Sequence, residues 1–162
     1  MLIFCGQEHC LIDSNGRLKL PQRFIDDFTL RCGGEVVMHG LPERAVALYP
    51  EEVYREMRER EVEAVDSIGS SFAARRSLRR FGALTCPDTI TRQGRITLPA
   101  AFREHAGLEP GCEACVVGVE IGVEIWSAER FAAEMAAINE HLRQKREREM
   151  LADLQITREN RV

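Results

Sequence analysis

Short alternating apolar runs, punctuated by turn residues, occur twice along this chain. Cys10-Leu11-Ile12 reads as a short strand, and Asn15-Gly16 as a tight turn, because both residues tolerate positive φ. Arg17-Leu18-Lys19-Leu20 alternates polar and apolar, as a half-buried strand does. Pro21 ends that strand and suits the first turn of a helix, whose apolar stripe is Phe24, Ile25 and Phe28. An offset of 78 residues carries Ile12, Gly16, Arg17, Leu20, Pro21 and Phe24 onto Ile90, Gly94, Arg95, Leu98, Pro99 and Phe102, and Leu18 onto Ile96. Gln93-Gly94 is the weaker turn signal of the pair, and Phe102 and Ala106 form the second stripe. The chain is an internal repeat of one strand-turn-strand-helix unit.

The repetition continues downstream. Gly33-Gly34 and Pro110-Gly111 break each unit, and Glu35-Val36-Val37-Met38 and Ala114-Cys115-Val116-Val117 follow as apolar strands. Val46-Ala47-Leu48-Tyr49 parallels Val123-Glu124-Ile125-Trp126 at an offset of 77. Glu51-Glu52 and Glu129 then open helices with acidic first turns, favoured by the helix dipole. The first of these is predicted from Glu51 to about Ala64, with Val53, Met57 and Val62 among many charges. Phe72 to Phe81 is helix-compatible and sets Arg75, Arg76, Arg79 and Arg80 on one side, either as a solvated face or as a contact for DNA or another subunit. From about Ala128 to Leu154 the spacing predicts a long charged helix with a stripe of Phe131, Met135, Ile138 and Leu142; Thr157 to Val162 reads as a frayed tail.

One unit of this size is marginal alone, so the two are expected to share a core. No apolar run approaches a membrane span, and Met1 to Glu8 has no secretory pattern, which predicts a cytoplasmic protein. The formal net charge is −4, which weighs against nonspecific nucleic-acid binding and requires any DNA contact to rest on a local basic patch. Lys19 and Lys145 are the only lysines; arginine dominates, the better residue for bidentate contact to phosphate or guanine, although a GC-rich genome produces the same bias. The six cysteines read as reduced thiols. Cys112 and Cys115 make one C-x-x-C with no second half to complete a metal site, so no metal and no cofactor is expected. His9, His39, His105 and His141 have no catalytic spacing, and no phosphate-binding glycine loop is present. These absences argue against an enzyme.

The Asp-x-x-x-Arg of Asp13 to Arg17, the repeated Gly-Arg, the proline after each strand, Leu48-Tyr49-Pro50 and Ile125-Trp126 together resemble the MraZ family of bacterial transcription regulators over nearly the whole chain. The resemblance implies an α+β fold: a tandem swapped-hairpin β-barrel of the AbrB-like kind with flanking helices. Residues 1–82 would form the first repeat with its following helices, and 83–162 the second with a long C-terminal helix. It also implies a nucleoid-associated, homo-oligomeric ring. Such a ring would bind direct repeats in double-stranded DNA upstream of its own operon, the division and cell-wall cluster, and repress it. One departure stands out. The second copy has Thr91 where the family tends to keep an acid, which leaves Arg95 less restrained than Arg17.

On that reading Arg17 and Arg95 reach DNA, with Asn15, Lys19, Arg92 and Gln93 adding contacts, while Asp13, Gly16 and Gly94 support the turns. The competing reading makes Arg17 a structural partner of Asp13 that only stiffens the turn. An oligomeric interaction protein without DNA binding is the alternative function.

Overall fold

The computed structural model describes residues 2–63 and 71–159. Its class is α+β, as the resemblance implies, and its sheet is antiparallel. The described residues form β1 (Gln7–Leu11), β2 (Arg17–Lys19), α1 (Gln22–Cys32), β3 (Glu35–Gly40), β4 (Val46–Pro50) and α2 (Glu51–Glu63). These are followed by α3 (Phe72–Ala83), β5 (Thr85–Thr89), β6 (Arg95–Thr97), α4 (Ala100–Ala106), β7 (Glu113–Gly118), β8 (Val123–Ser127) and α5 (Ala128–Glu159). The Val62 side chain, Ala64 and residues 160–162 lie outside the described residues; Thr157 to Glu159, expected to fray, continue α5.

Six strands make one sheet in the order β1-β7-β8-β4-β3-β5, and β2 pairs with β6 in a separate ladder. All pairings are antiparallel. Strands of the first copy therefore pair with strands of the second: β1 with β7, β5 with β3, β4 with β8, and β2 with β6. The Asn15-Gly16 turn forms, but the only bridge between its two arms is Ile12 with Leu18. Period-2 alternation fixes which side chains face inward, not which strand lies alongside.

The core confirms the alternation. Leu18, Leu20, Ile96, Leu98, Phe24 and Phe102 are buried in one cluster with Val36, Leu48, Val116 and Ile125. Each such side chain contributes about 1.5–3 kcal/mol by leaving water. Pro21 and Pro99 stand at the N-caps of α1 and α4, and Gly33 and Gly107 close both helices in the left-handed conformation. Pro87 is tolerated in β5 because β5 is an edge strand.

Residues through Ala128 form one compact unit, and those from Glu129 a second. On α5, Met135, Ile138 and Leu142 are exposed. Among the described residues no helix is long and apolar enough to cross a membrane.

Candidate nucleic-acid interface

The two turns are built alike. Gly16 N–H donates to Asp13 O at 3.0 Å and Gly94 N–H to Thr91 O at 2.8 Å, closing each loop. Asp13 N–H donates to Arg17 O at 2.9 Å, and Thr91 N–H to Arg95 O at 3.2 Å. Each turn is also tied to the other copy: Leu98 N–H donates to Gly16 O at 2.9 Å and Leu20 N–H to Gly94 O at 2.8 Å. Gly16 and Gly94 sit at φ +72° and +75°, a region that side-chain-bearing residues avoid.

Between the turns runs the β2–β6 ladder. Its register sets Arg17 opposite Thr97, Leu18 opposite Ile96, and Lys19 opposite Arg95. Leu18 and Ile96 point inward and are buried, so Arg17, Lys19, Arg95 and Thr97 all fall on the outer face. Two basic positions distant in sequence thus become direct neighbours. Arg17, Gln93, Arg95 and Thr97 line a shallow recess of about 250 Å³, whose other walls include Asp88, Thr89 and Thr91. Asn15 is exposed on the first turn and Arg92 on the second. Thr97, absent from the predicted set, was legible as the repeat-mate of Lys19; Asp88 and Thr89 had no sequence signal pointing here.

The acid at the first turn has two tasks. Asp13 Oδ1 accepts the backbone N–H of Asn15 at 2.8 Å and of Arg17 at 2.9 Å, while Oδ2 accepts Arg17 Nε at 2.9 Å. The Arg17 N–H foremost, then the Asn15 N–H and the Arg17 guanidinium, hold the Asp13 carboxyl below its ordinary range. Asp13 is therefore ionised at neutral pH, and both members of the pair are partly exposed. At the second turn Thr91 Oγ1 accepts the Arg95 N–H at 3.0 Å. The hydroxyl takes over the bond to the Arg95 N–H, the repeat-mate of the Arg17 N–H, but neither the bond that Asp13 makes to the Asn15 N–H nor its ion pair has a described counterpart at the second turn. Among the described residues the Arg95 and Lys19 side chains have no ion-pair partner.

The α3 arginines divide. Arg80 turns toward the sheet and donates to Gly40 O at 3.4 Å, Arg76 lies over the Phe72 ring, and Arg75 and Arg79 are exposed. Close by, His39 is the one buried polar side chain among the described residues. Its Nδ1 lies 2.9 Å from Thr85 Oγ1, its ring stacks on Phe81 at 4.9 Å, and Tyr54 Oη lies 3.1 Å from the same Thr85 oxygen. Thr85 Oγ1 gives its single proton to Phe81 O at 2.5 Å, so both Tyr54 and His39 Nδ1 donate to it. His9 pairs with Glu113 at 2.8 Å, His105 Nε2 lies 2.6 Å from Leu41 O, and His141 is exposed.

Comparison with known proteins places the chain among transcriptional regulators. It is 40% identical to "Transcriptional regulator MraZ" of Thermomicrobium roseum over 134 residues, covering 82% of this chain and 87% of that protein. The same-named protein of Moorella thermoacetica is 36% identical over 80% of this chain and 84% of its own length. That of Desulforapulum autotrophicum is 34% identical over 88% and 92%. Residues 88–153 match the family described as "MraZ protein, putative antitoxin-like". The chain belongs to the MraZ family, whose named members are transcriptional regulators and not enzymes.

Proposed function

We propose that the outer face of the β2–β6 ladder docks on double-stranded DNA, through Arg17, Lys19 and Arg95, with Asn15, Arg92 and Gln93 contributing from the turns. The observation that carries this reading is the opposition of Lys19 and Arg95. Like charges directly across a ladder destabilise it, and neither side chain forms an ion pair among the described residues; Asp88 shares the recess with Arg95 without pairing with it. A phosphate between them removes that penalty, and a two-stranded ribbon is of a size to enter the major groove. Arg17 is held ready by Asp13, so on this reading the ion pair orients the guanidinium and does not exclude it from DNA.

In this reading the exchange of strands between copies makes a swapped-hairpin barrel, with residues 1–82 and 83–162 as its two repeats. The protein represses its own operon, the division and cell-wall cluster, as a cytoplasmic, nucleoid-associated, homo-oligomeric ring on direct repeats. The ring answers the net charge of −4: linked subunits add avidity although each makes few contacts. The exposed Met135, Ile138 and Leu142 on α5 support self-association; they are equally what an interaction protein without DNA binding would carry. A mobility-shift assay with the DNA upstream of the protein's own gene separates the two. A shift supports the DNA reading, and no shift with folded, oligomeric protein favours the alternative.

A further inference from the structure

A third arginine lies against the first turn. A Cβ at Gly16 would stand 3.0 Å from each of Arg103 Cζ, Nε and Nη1. Three atoms of the planar head at one distance mean that the guanidinium lies flat over the glycine, closer than a side chain at this position would ordinarily sit. Arg103 belongs to α4 of the second copy, so neither the Asp-x-x-x-Arg motif nor its neighbours in sequence point to it. Its Nε is buried and has no hydrogen-bond partner among the described residues, and it forms no ion pair there. A buried, unpaired arginine nitrogen is costly.

The repeat supplies the comparison. An offset of 78 carries Ile25 onto Arg103, and Ile25 is the residue packed on the second turn: a Cβ at Gly94 would stand 2.0 Å from Ile25 Cδ1. The seat under a turn is therefore filled well by an apolar side chain, and the first turn has a cation there instead. The difference tracks the other asymmetry between the copies. Residues 13–19 carry Asp13 against Arg17 and Lys19, whereas 91–97 carry Arg92 and Arg95 with no acid. Arg103 restores to the first turn the positive charge that Asp13 removes.

We propose that Arg103 is a third DNA-contacting arginine of this face, stacked on Gly16 and directing its outer nitrogens to a phosphate beside Asn15 and Arg17. The proposal rests on the DNA-binding reading above. The test is titration of the full-length protein against a fluorescent duplex from upstream of its own gene, across a range of salt, for wild type, Arg103→Ile, Arg103→Lys and Arg17→Ala. Arg103→Ile places at the first turn the residue that already serves the second, so its thermal unfolding should match wild type. Its binding should weaken, and the slope of log affinity against log salt should shrink by about one unit; Arg103→Lys should keep the slope. If Arg103→Ile fails to fold, Arg103→Gln, with a planar polar head, carries the same comparison. Wild-type affinity and slope in a folded neutral variant, while Arg17→Ala weakens binding, would overturn the role of Arg103 and leave the hairpin reading standing. Wild-type behaviour in both would remove the hairpin reading and Arg103 with it.

Discussion

Thr91 Oγ1 accepts the Arg95 backbone N–H at 3.0 Å, making at the second turn one of the three hydrogen bonds that Asp13 makes at the first. The hydroxyl is the functional group that matters here, because the N–H it takes has no ladder partner at that point. Thr91→Val keeps the shape and removes the acceptor, and should cost about 0.5–1.5 kcal/mol. Thr91→Asp keeps an acceptor in place and should be as stable as wild type or slightly more so, since the added carboxylate can reach Arg95 Nε as Asp13 reaches that of Arg17. Urea denaturation of the two variants checks this; equal losses in both would show that the hydroxyl bond does not support the turn.

The glycines of the two turns should be irreplaceable for two reasons at once. Their positive φ alone costs a side-chain-bearing residue about 1–2 kcal/mol, and the space above each is filled. Gly94→Ala should lose more stability than Gly16→Ala, because its Cβ meets Ile25 Cδ1 at 2.0 Å and Cγ1 at 2.9 Å, whereas the nearest atoms at Gly16, those of the Arg103 guanidinium, stand at 3.0 Å. Pairing Gly94→Ala with Ile25→Ala should recover part of the loss. Thermal melts of the three proteins measure it, and no recovery in the double variant would mean that backbone conformation is the whole effect.

Buried His39 predicts a pH dependence of stability. Burial first, then Arg80, Arg58 and His105, hold its pKa below the ordinary 6.5, against a smaller opposing contribution from the Leu84 backbone. Thr85, Tyr54 and Phe81 also pack around it. The folded protein then binds fewer protons than the unfolded chain, so stability is full above pH 6.5 and is lost as pH falls through the folded pKa. Wild type should lose more stability between pH 7.5 and about pH 5.5 than His39→Gln does. Parallel pH profiles in the two proteins would exclude His39 as the source.

Much of this architecture is legible in the sequence. The offset of 78 residues exposes the repeat, Asn15-Gly16 and Gln93-Gly94 mark the turns, and alternation correctly assigns Leu18, Leu20, Ile96 and Leu98 to the core. Partner choice is not legible. Identical patterns in both copies are satisfied equally by pairing within a copy or across copies, so the opposition of Lys19 and Arg95 emerges only with the register. β5 is hidden by Pro87, which argues against a strand unless the strand lies at an edge. The grouping of the α3 arginines fails at Arg80 because helical spacing predicts a shared side but not the Gly40 carbonyl waiting there.

The salt dependence of binding to the duplex upstream of the protein's own gene tests the central claim most directly, compared between wild type and Arg17→Ala, Lys19→Ala and Arg95→Ala. Wild-type affinity should fall steeply as salt rises. Each variant should stay folded, bind more weakly by on the order of 1–3 kcal/mol, and show a shallower slope. Folded variants that keep wild-type affinity and slope would contradict the assignment of this face to DNA.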